Sequence, residues 1–80
     1  MDGQTPPELI YGENAVGLTF NPGGDAKVDE VKKLYAQIID LCNELRTEAG
    51  QGEKSRLLSV AITEAQTAQM WAVKGITSNL

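Results

Sequence analysis

The stretch from Arg56 to Lys74 limits the possible folds of this chain more than any other, because its sequence predicts one long helix with almost no charged residues. Its only charged residues are Arg56, Glu64 and Lys74. A stripe of mostly alanine residues recurs along this helix at alternating three- and four-residue steps, which places them on one helix face. Alanine is a strong helix former, and its small side chain lets a neighbouring helix approach closely. The stripe consists of Leu58, Ala61, Ala65, Ala68 and Ala72.

More apolar side chains lie off this stripe, so the helix is apolar over more of its circumference than one neighbour can cover. Such a helix is expected to be buried on several sides. An 80-residue chain builds only a small core and usually needs a disulfide, a metal or partner chains. With no histidine and one cysteine, a disulfide framework and a His/Cys zinc site are excluded, so oligomerisation remains. The additional apolar residues are Leu57, Val60, Ile62, Met70, Trp71 and Val73.

Composition and net charge indicate which kinds of protein this chain can be. At 41% hydrophobic and 22% charged residues, the chain has the composition of a folded globular protein. No apolar run is long enough to span a bilayer, and the start MDGQTPPE does not resemble a signal peptide, so we expect a cytoplasmic protein without membrane contact. The net charge of −4 disfavours DNA and RNA polymers as partners.

Residues 1–24 contain all three prolines and five of the eight glycines, which predicts an extended or turning arm. Within it, residues 8–11 are expected to form one helical turn or an extended piece, and Gly12 to end that piece in either case. The apolar segment 17–20 is too short for a sheet and is expected to pack on helices.

The turn cluster 21–25 leads into a helical pattern, with Gly24 or Asp25 as the predicted N-cap. The pattern predicts a first long helix over 25–48, a stop at Gly50 and Gly52, and a second long helix from Glu53 or Ser55 to about residue 75. The short link predicts an antiparallel hairpin, so the fold class is all-α, with residues 1–80 as one domain. The predicted apolar seam of the first helix is Val28, Val31, Leu34, Tyr35, Ile38, Leu41, Cys42 and Leu45, and its predicted exposed face is Asp29, Lys33, Asp40 and Glu44.

Residues that could carry catalysis are few. Nucleophilic catalysis usually needs a base such as histidine beside the nucleophile, and the chain has none. Cys42 falls on the apolar seam, which favours a structural role. The neighbouring acids Asp29 and Glu30 are typical charges of a first helical turn. We therefore expect no enzyme activity, no catalytic residues, no metal and no cofactor.

An anion site is conceivable in the turn before the first long helix. Gly23 and Gly24 leave the backbone open beside free helix amides, and Lys27 adds a positive charge. The alternative is a well-capped turn in which the Asp25 side chain binds those amides, and the residues alone favour it. Tyr11 and Arg56 could stack on a base and bind a phosphate, but each is equally typical of a protein surface.

Four segments resemble a known family: GLTFNPGGD at 17–25, VDEVKKLYAQIIDL at 28–41, RLLSVAIT at 56–63 and TAQMWAVK at 67–74. They are similar to phage anti-defence proteins called cyclic-nucleotide sponges, the family of anti-CBASS protein two and Thoeris anti-defence protein one. The resemblance implies an all-helical homohexamer in the cytoplasm of an infected bacterium. It would sequester cyclic oligonucleotide immune signals without degrading them.

The resemblance also implies two sites. A cyclic-dinucleotide pocket between paired protomers would use Tyr11 and Lys27, and be shaped by Phe20 and Asn21. A cyclic-trinucleotide site on a threefold axis would use amides of the glycine turn and an arginine that opens the second helix. Those residues are Gly24 and Arg56. The preferred cyclic nucleotide, the presence of the trinucleotide site and the binding of cyclic ADP-ribose isomers stay open.

Two other functions fit parts of the sequence. A helical adaptor or antitoxin-like module would use the apolar helix to bind another protein. A phosphodiesterase would destroy the same cyclic signals, but the chain lacks the histidines that commonly bind its metals. A measurement of oligomeric mass distinguishes the adaptor from the sponge. Recovery of intact ligand distinguishes the sponge from the phosphodiesterase.

Overall fold

The computed structural model describes residues 11–78, and this part of the chain is all-helical, as predicted. Helix α1 spans Tyr11–Val16, α2 spans Ala26–Ala49 and α3 spans Glu53–Thr77. The sequence pattern places the long helices at 25–48 and 53–75. The predictions for residues 1–10 lie outside the described residues. None of the described helices is long and apolar enough to cross a membrane.

Local hydrogen bonds fix the ends of α2. The Asp25 carboxylate accepts a hydrogen bond of 2.8 Å from the Lys27 amide, so Asp25 is the N-cap. At the other end Gly50 adopts a positive φ of 74°, which suits glycine, and its amide donates to the carbonyls of Arg46 and Thr47. Residues 50–52 link α2 to α3, which packs back along α2 as the predicted hairpin.

The core lies where the three helices meet. Its buried side chains come from all three helices, and the partly buried Cys42 packs against them in the predicted structural role. Leu18, from the segment expected to pack on helices, also packs against this core. The cluster consists of Val16, Ala36, Ile39 and Ile62.

The prediction that Gly12 ends the first local element is wrong. Gly12 is the second residue of α1 and is buried. A Cβ atom at this position would overlap the carbonyl oxygen of Ala36, so only glycine allows α1 to approach α2 this closely. The Gly12 amide also donates a 2.7 Å hydrogen bond to the carboxylate of Asp40. Asp40 is therefore half-buried and joins two helices, although the sequence pattern placed it on the exposed face.

The apolar seam predicted for α2 is only partly the face that this chain buries. Val28 is buried and Tyr35 packs on the core, but the most buried residue is Ile39, which the predicted seam omits. Four residues of the predicted seam are instead exposed: Leu34, Ile38, Leu41 and Leu45. On α3, likewise, the alanine stripe is only partly covered by the chain itself, with Leu58, Ala65 and Ala72 half-buried and Ala61 and Ala68 exposed.

Candidate ligand-binding surface

The turn between α1 and α2 is held in one shape by its own backbone. The Phe20 amide donates to the Gly17 carbonyl at 2.9 Å, and the Gly24 amide donates to the Asn21 carbonyl at 3.0 Å. Gly17 and Gly24 have positive φ angles of 62° and 67°, which glycine adopts without strain. The segment is therefore a defined structure that presents Phe20 and Asn21 at fixed positions.

A buried lysine anchors this turn to α2. Lys32 is only 4% exposed, and its ammonium group donates to the carbonyl of Gly17 at 2.9 Å and to the carbonyl of Phe20. The same group lies 5.5 Å from the centroid of the Phe20 ring, within the range of a cation–π contact. Two carbonyls and a ring therefore face the three N–H bonds of the ammonium group. The sequence does not single out Lys32, because a lysine in a charged segment is normally exposed.

The Asn21 side chain hydrogen-bonds the turn to the start of α2. Its side-chain amide donates to the Asp25 carbonyl and to the Asp29 carboxylate, both at 2.9 Å. Asp29 is half-buried as a result, so its prediction as an exposed residue is also corrected. Asn21 thus joins the turn to the first turn of α2.

Two open grooves flank Phe20, whose side chain extends from the turn and is 71% exposed. One groove, of about 350 Å³, is bounded by Phe20 and Asn21 together with Val28, Val73 and Thr77. The other, of about 480 Å³, shares Phe20, Lys32 and Val73 and continues to Gln69 and Met70. The aromatic ring is thus a common wall of two largely apolar grooves between the turn and the end of α3.

The helix start beside the turn is capped, as the residues alone favoured. Asp25 binds the Lys27 amide, while the Lys27 side chain is largely exposed and pairs with Glu30 at 2.9 Å. Hydrogen bonding to Glu30 raises the pKa of Lys27 above its ordinary value of 10.5. Lys27 therefore stays cationic at neutral pH and is accessible to an anion.

Tyr11 lies at the other end of α2. Its ring centroid is 5.7 Å from the guanidinium carbon of Arg46, and its hydroxyl accepts a long hydrogen bond of 3.4 Å from that group. Arg46 in turn donates to Asn43 and to Ser59 on α3. The sequence does not single out Arg46, because no local motif marks a contact across 35 residues.

The structure does not bring all the predicted site residues together within one chain. Asn21 contacts Asp29, whereas Tyr11 contacts Arg46. Asp29 and Arg46 are about 17 residues apart on α2, or roughly 25 Å at 1.5 Å per residue. Phe20 and Asn21 share a groove, Lys27 lies in the adjoining helix turn, and Tyr11 is separate.

Gly24 and Arg56 are also far apart, since Gly24 precedes α2 and Arg56 lies in the first turn of α3 at the opposite end of the hairpin. Arg56 forms a two-point ion pair with Glu53, with distances of 2.8 and 2.6 Å. That hydrogen bonding lowers the pKa of Glu53 below its ordinary value of 4.5. Both side chains are exposed, so the guanidinium is available to another partner.

Comparison with known protein families gives a match over most of the chain. The model of a family described as Acb2/Tad1, hairpin domain, matches residues 13–77, which include α2, α3 and the turn that carries Phe20. No curated protein and no solved structure matches the chain significantly. The match confirms the resemblance seen in the sequence and covers most of the chain. The chain therefore belongs to the Acb2/Tad1 hairpin-domain family, that of anti-CBASS protein two and Thoeris anti-defence protein one.

Proposed function

We propose that this protein is a non-enzymatic sponge that binds cyclic oligonucleotide immune signals and so blocks bacterial anti-phage signalling. The observation that carries the proposal is the family match together with the rigid turn at 17–25, which presents an open aromatic ring between two grooves. An exposed ring is a platform for base stacking, and an exposed lysine beside it can bind a phosphate.

The functional unit is a homo-oligomer, and the family resemblance favours a hexamer. Leu34, Ile38 and Leu41 form an exposed stripe on α2, since they recur at four- and three-residue steps. Exposed apolar surface of this extent is typical of a subunit interface. On α3 the exposed large apolar residues are Leu57, Val60, Met70 and Trp71.

Assembly also accounts for the separation of the site residues. Tyr11 and Lys27 lie towards opposite ends of α2, so a single small ligand contacts both only when they come from different protomers. Such a pocket binds cyclic dinucleotides. Gly24 and Arg56 are likewise separated, and a cyclic-trinucleotide site that uses both needs more than one protomer. Cyclic ADP-ribose isomers are further candidate ligands with the same phosphate and base chemistry.

Sequestration needs tight binding and no bond cleavage. The net charge of −4 is compatible with this, because a few local donors hold a small dianion without a basic surface. The ligand-binding residues proposed here are Tyr11, Phe20, Asn21, Gly24, Lys27 and Arg56.

Native mass spectrometry and calorimetry with a panel of cyclic di- and trinucleotides test this function. We expect Tyr11→Ala and Lys27→Ala each to weaken cyclic-dinucleotide binding by about tenfold or more. The stacking ring contributes about 1–3 kcal/mol, and the phosphate contact about 1.5–3 kcal/mol. Arg56→Ala should abolish trinucleotide binding and spare dinucleotides. All three variants should keep the oligomer, because these residues are not among the exposed apolar residues of α2 and α3 proposed to form the interface.

Matched controls are the exposed lysines Lys33 and Lys54, whose alanine variants should bind like the parent protein. Ligand recovered intact after denaturation supports a sponge, whereas cleaved ligand identifies a phosphodiesterase. Failure of the parent protein to bind any of these ligands refutes the proposal.

The exposed apolar residues of α2 and α3 also favour a second candidate, an adaptor or antitoxin-like protein. Light scattering distinguishes the two. A closed oligomer that binds cyclic nucleotides supports the sponge, and a monomer or dimer that binds none supports the adaptor.

A further inference from the structure

Gln69 is an unusual residue for the interior of a small protein. Its side chain lies in the C-terminal half of α3 and is only 5% exposed. A carboxamide has two N–H donors and an oxygen with two acceptor sites. Among residues 11–78, no hydrogen bond satisfies any of them. A buried polar group without a partner is destabilising, so its presence calls for a partner from outside the chain.

The surroundings of Gln69 show where that partner would lie. Gln69 lines the groove of about 480 Å³ whose other walls include Phe20, Met70 and Val73. The groove is largely apolar, and it opens to solvent beside the exposed Phe20 ring. A ligand in it therefore meets apolar walls, one aromatic face and one carboxamide.

Lys32 fixes the position of that aromatic ring. It binds the carbonyl of Phe20 and lies against the ring, so the ring is held relative to α2 although its side chain is exposed. A stacking surface that is already ordered loses little conformational entropy when a ligand binds. The groove is therefore preorganised for a flat ligand.

We propose that this groove binds a nucleobase, which stacks on Phe20 while its edge hydrogen-bonds with Gln69. Adenine fits this chemistry best, because a glutamine carboxamide can accept from the N6 amino group and donate to N7 at the same time. The corresponding edge of guanine presents two acceptors, so the carboxamide can pair with only one of them. This inference rests on the proposed function and adds a base-selecting residue to it.

The test compares Gln69→Met with Gln66→Met in the full-length protein. Methionine keeps the length and helix propensity of glutamine but has no strong hydrogen-bonding group. Gln66 is a matched control one turn earlier on the same helix, and it is only half-buried. Calorimetry is carried out with cyclic diadenylate and cyclic diguanylate.

We expect Gln69→Met to weaken binding of cyclic diadenylate by about tenfold or more and to remove the preference over cyclic diguanylate. The same variant should melt at a higher temperature without ligand, because an unpaired buried polar group is gone. Gln66→Met should keep the parent affinities and preference.

Unchanged affinities and preference in Gln69→Met would overturn the inference while leaving the proposed function intact. A lower melting temperature with unchanged binding would also overturn it, because the carboxamide would then have a partner within the assembly. If the parent protein binds no cyclic oligonucleotide, the proposed function fails, and adenosine becomes the probe. A shift of the Gln69 side-chain amide signal in the NMR spectrum on adding adenosine then supports the base site, and no shift overturns it.

Discussion

The inner and outer faces of the hairpin each depart from the usual distribution of polar and apolar residues. The inner face buries a lysine and a glutamine, Lys32 and Gln69, among its few apolar side chains. The outer face exposes large apolar residues, of which Trp71 is 65% exposed. Buried polar groups and exposed apolar surface are the two features that carry information about function. The inner face accordingly forms the ligand-facing turn and groove, and the outer face is suited to assembly.

Two neighbouring isoleucines of α2 give the sharpest test of this comparison. Ile39 is completely buried, whereas Ile38 is 50% exposed. Ile39→Ala should lower the free energy of unfolding by about 2–5 kcal/mol, because it leaves a cavity in the core. Ile38→Ala should leave helix content intact and weaken assembly instead.

Circular dichroism in urea measures folding of both variants, and light scattering measures their mass across a range of concentrations. If the two variants lose folding and assembly to the same degree, the inner and outer faces do not have separate roles.

The alanine stripe of α3 gives a second, smaller test. Ala65 packs against the core of its own chain, whereas Ala68 is exposed. Ala65→Leu should destabilise the chain by about 1–3 kcal/mol through overpacking. Ala68→Leu should keep the fold of the chain and separate the subunits, if this part of the stripe lies in the interface.

Thermal melts and light scattering of both alanine variants measure these effects. Unchanged mass and melting temperature for Ala68→Leu would show that the exposed half of the stripe is not an interface.

The sequence predicted those features that depend on local signals. Asp25 and Gly50 bound α2 because a capping carboxylate and a glycine of positive φ act within a few residues of their own positions. The apolar periodicity of α2 predicted a buried seam that includes Ile38, but this chain leaves Ile38 50% exposed. Periodicity could not tell a face buried within the chain from one that is exposed, since both produce the same spacing.

Other features depend on contacts between residues that are distant in sequence. Gly12 was predicted to end a local element. It instead allows α1 to approach the carbonyl of Ala36, which is 24 residues away in sequence. No local pattern in the sequence singles out Lys32 or Gln69, and only the fold shows that both are buried. The site residues named from the family resemblance come from separate parts of the hairpin, and calorimetry on their variants is the test of them.

The smallest expected effect concerns the exposed ion pair between Arg56 and Glu53, which contrasts with the buried, carbonyl-bound Lys32. Hydrogen bonding to Arg56 holds the pKa of Glu53 below its ordinary value of 4.5, so the pair stabilises the folded state above that pH. The contribution is lost as the pH falls through the lower, folded-state pKa. Because both side chains are largely exposed, solvent screens the pair and its contribution is small. Glu53→Gln should therefore lower the melting temperature slightly at pH 6 and have no effect near pH 2. The control Glu64→Gln, at an exposed position within α3, should not show this dependence on pH. A difference between Glu53→Gln and the parent protein that persists undiminished at pH 2 would mean that Glu53 acts through its shape or helix position and not through its charge.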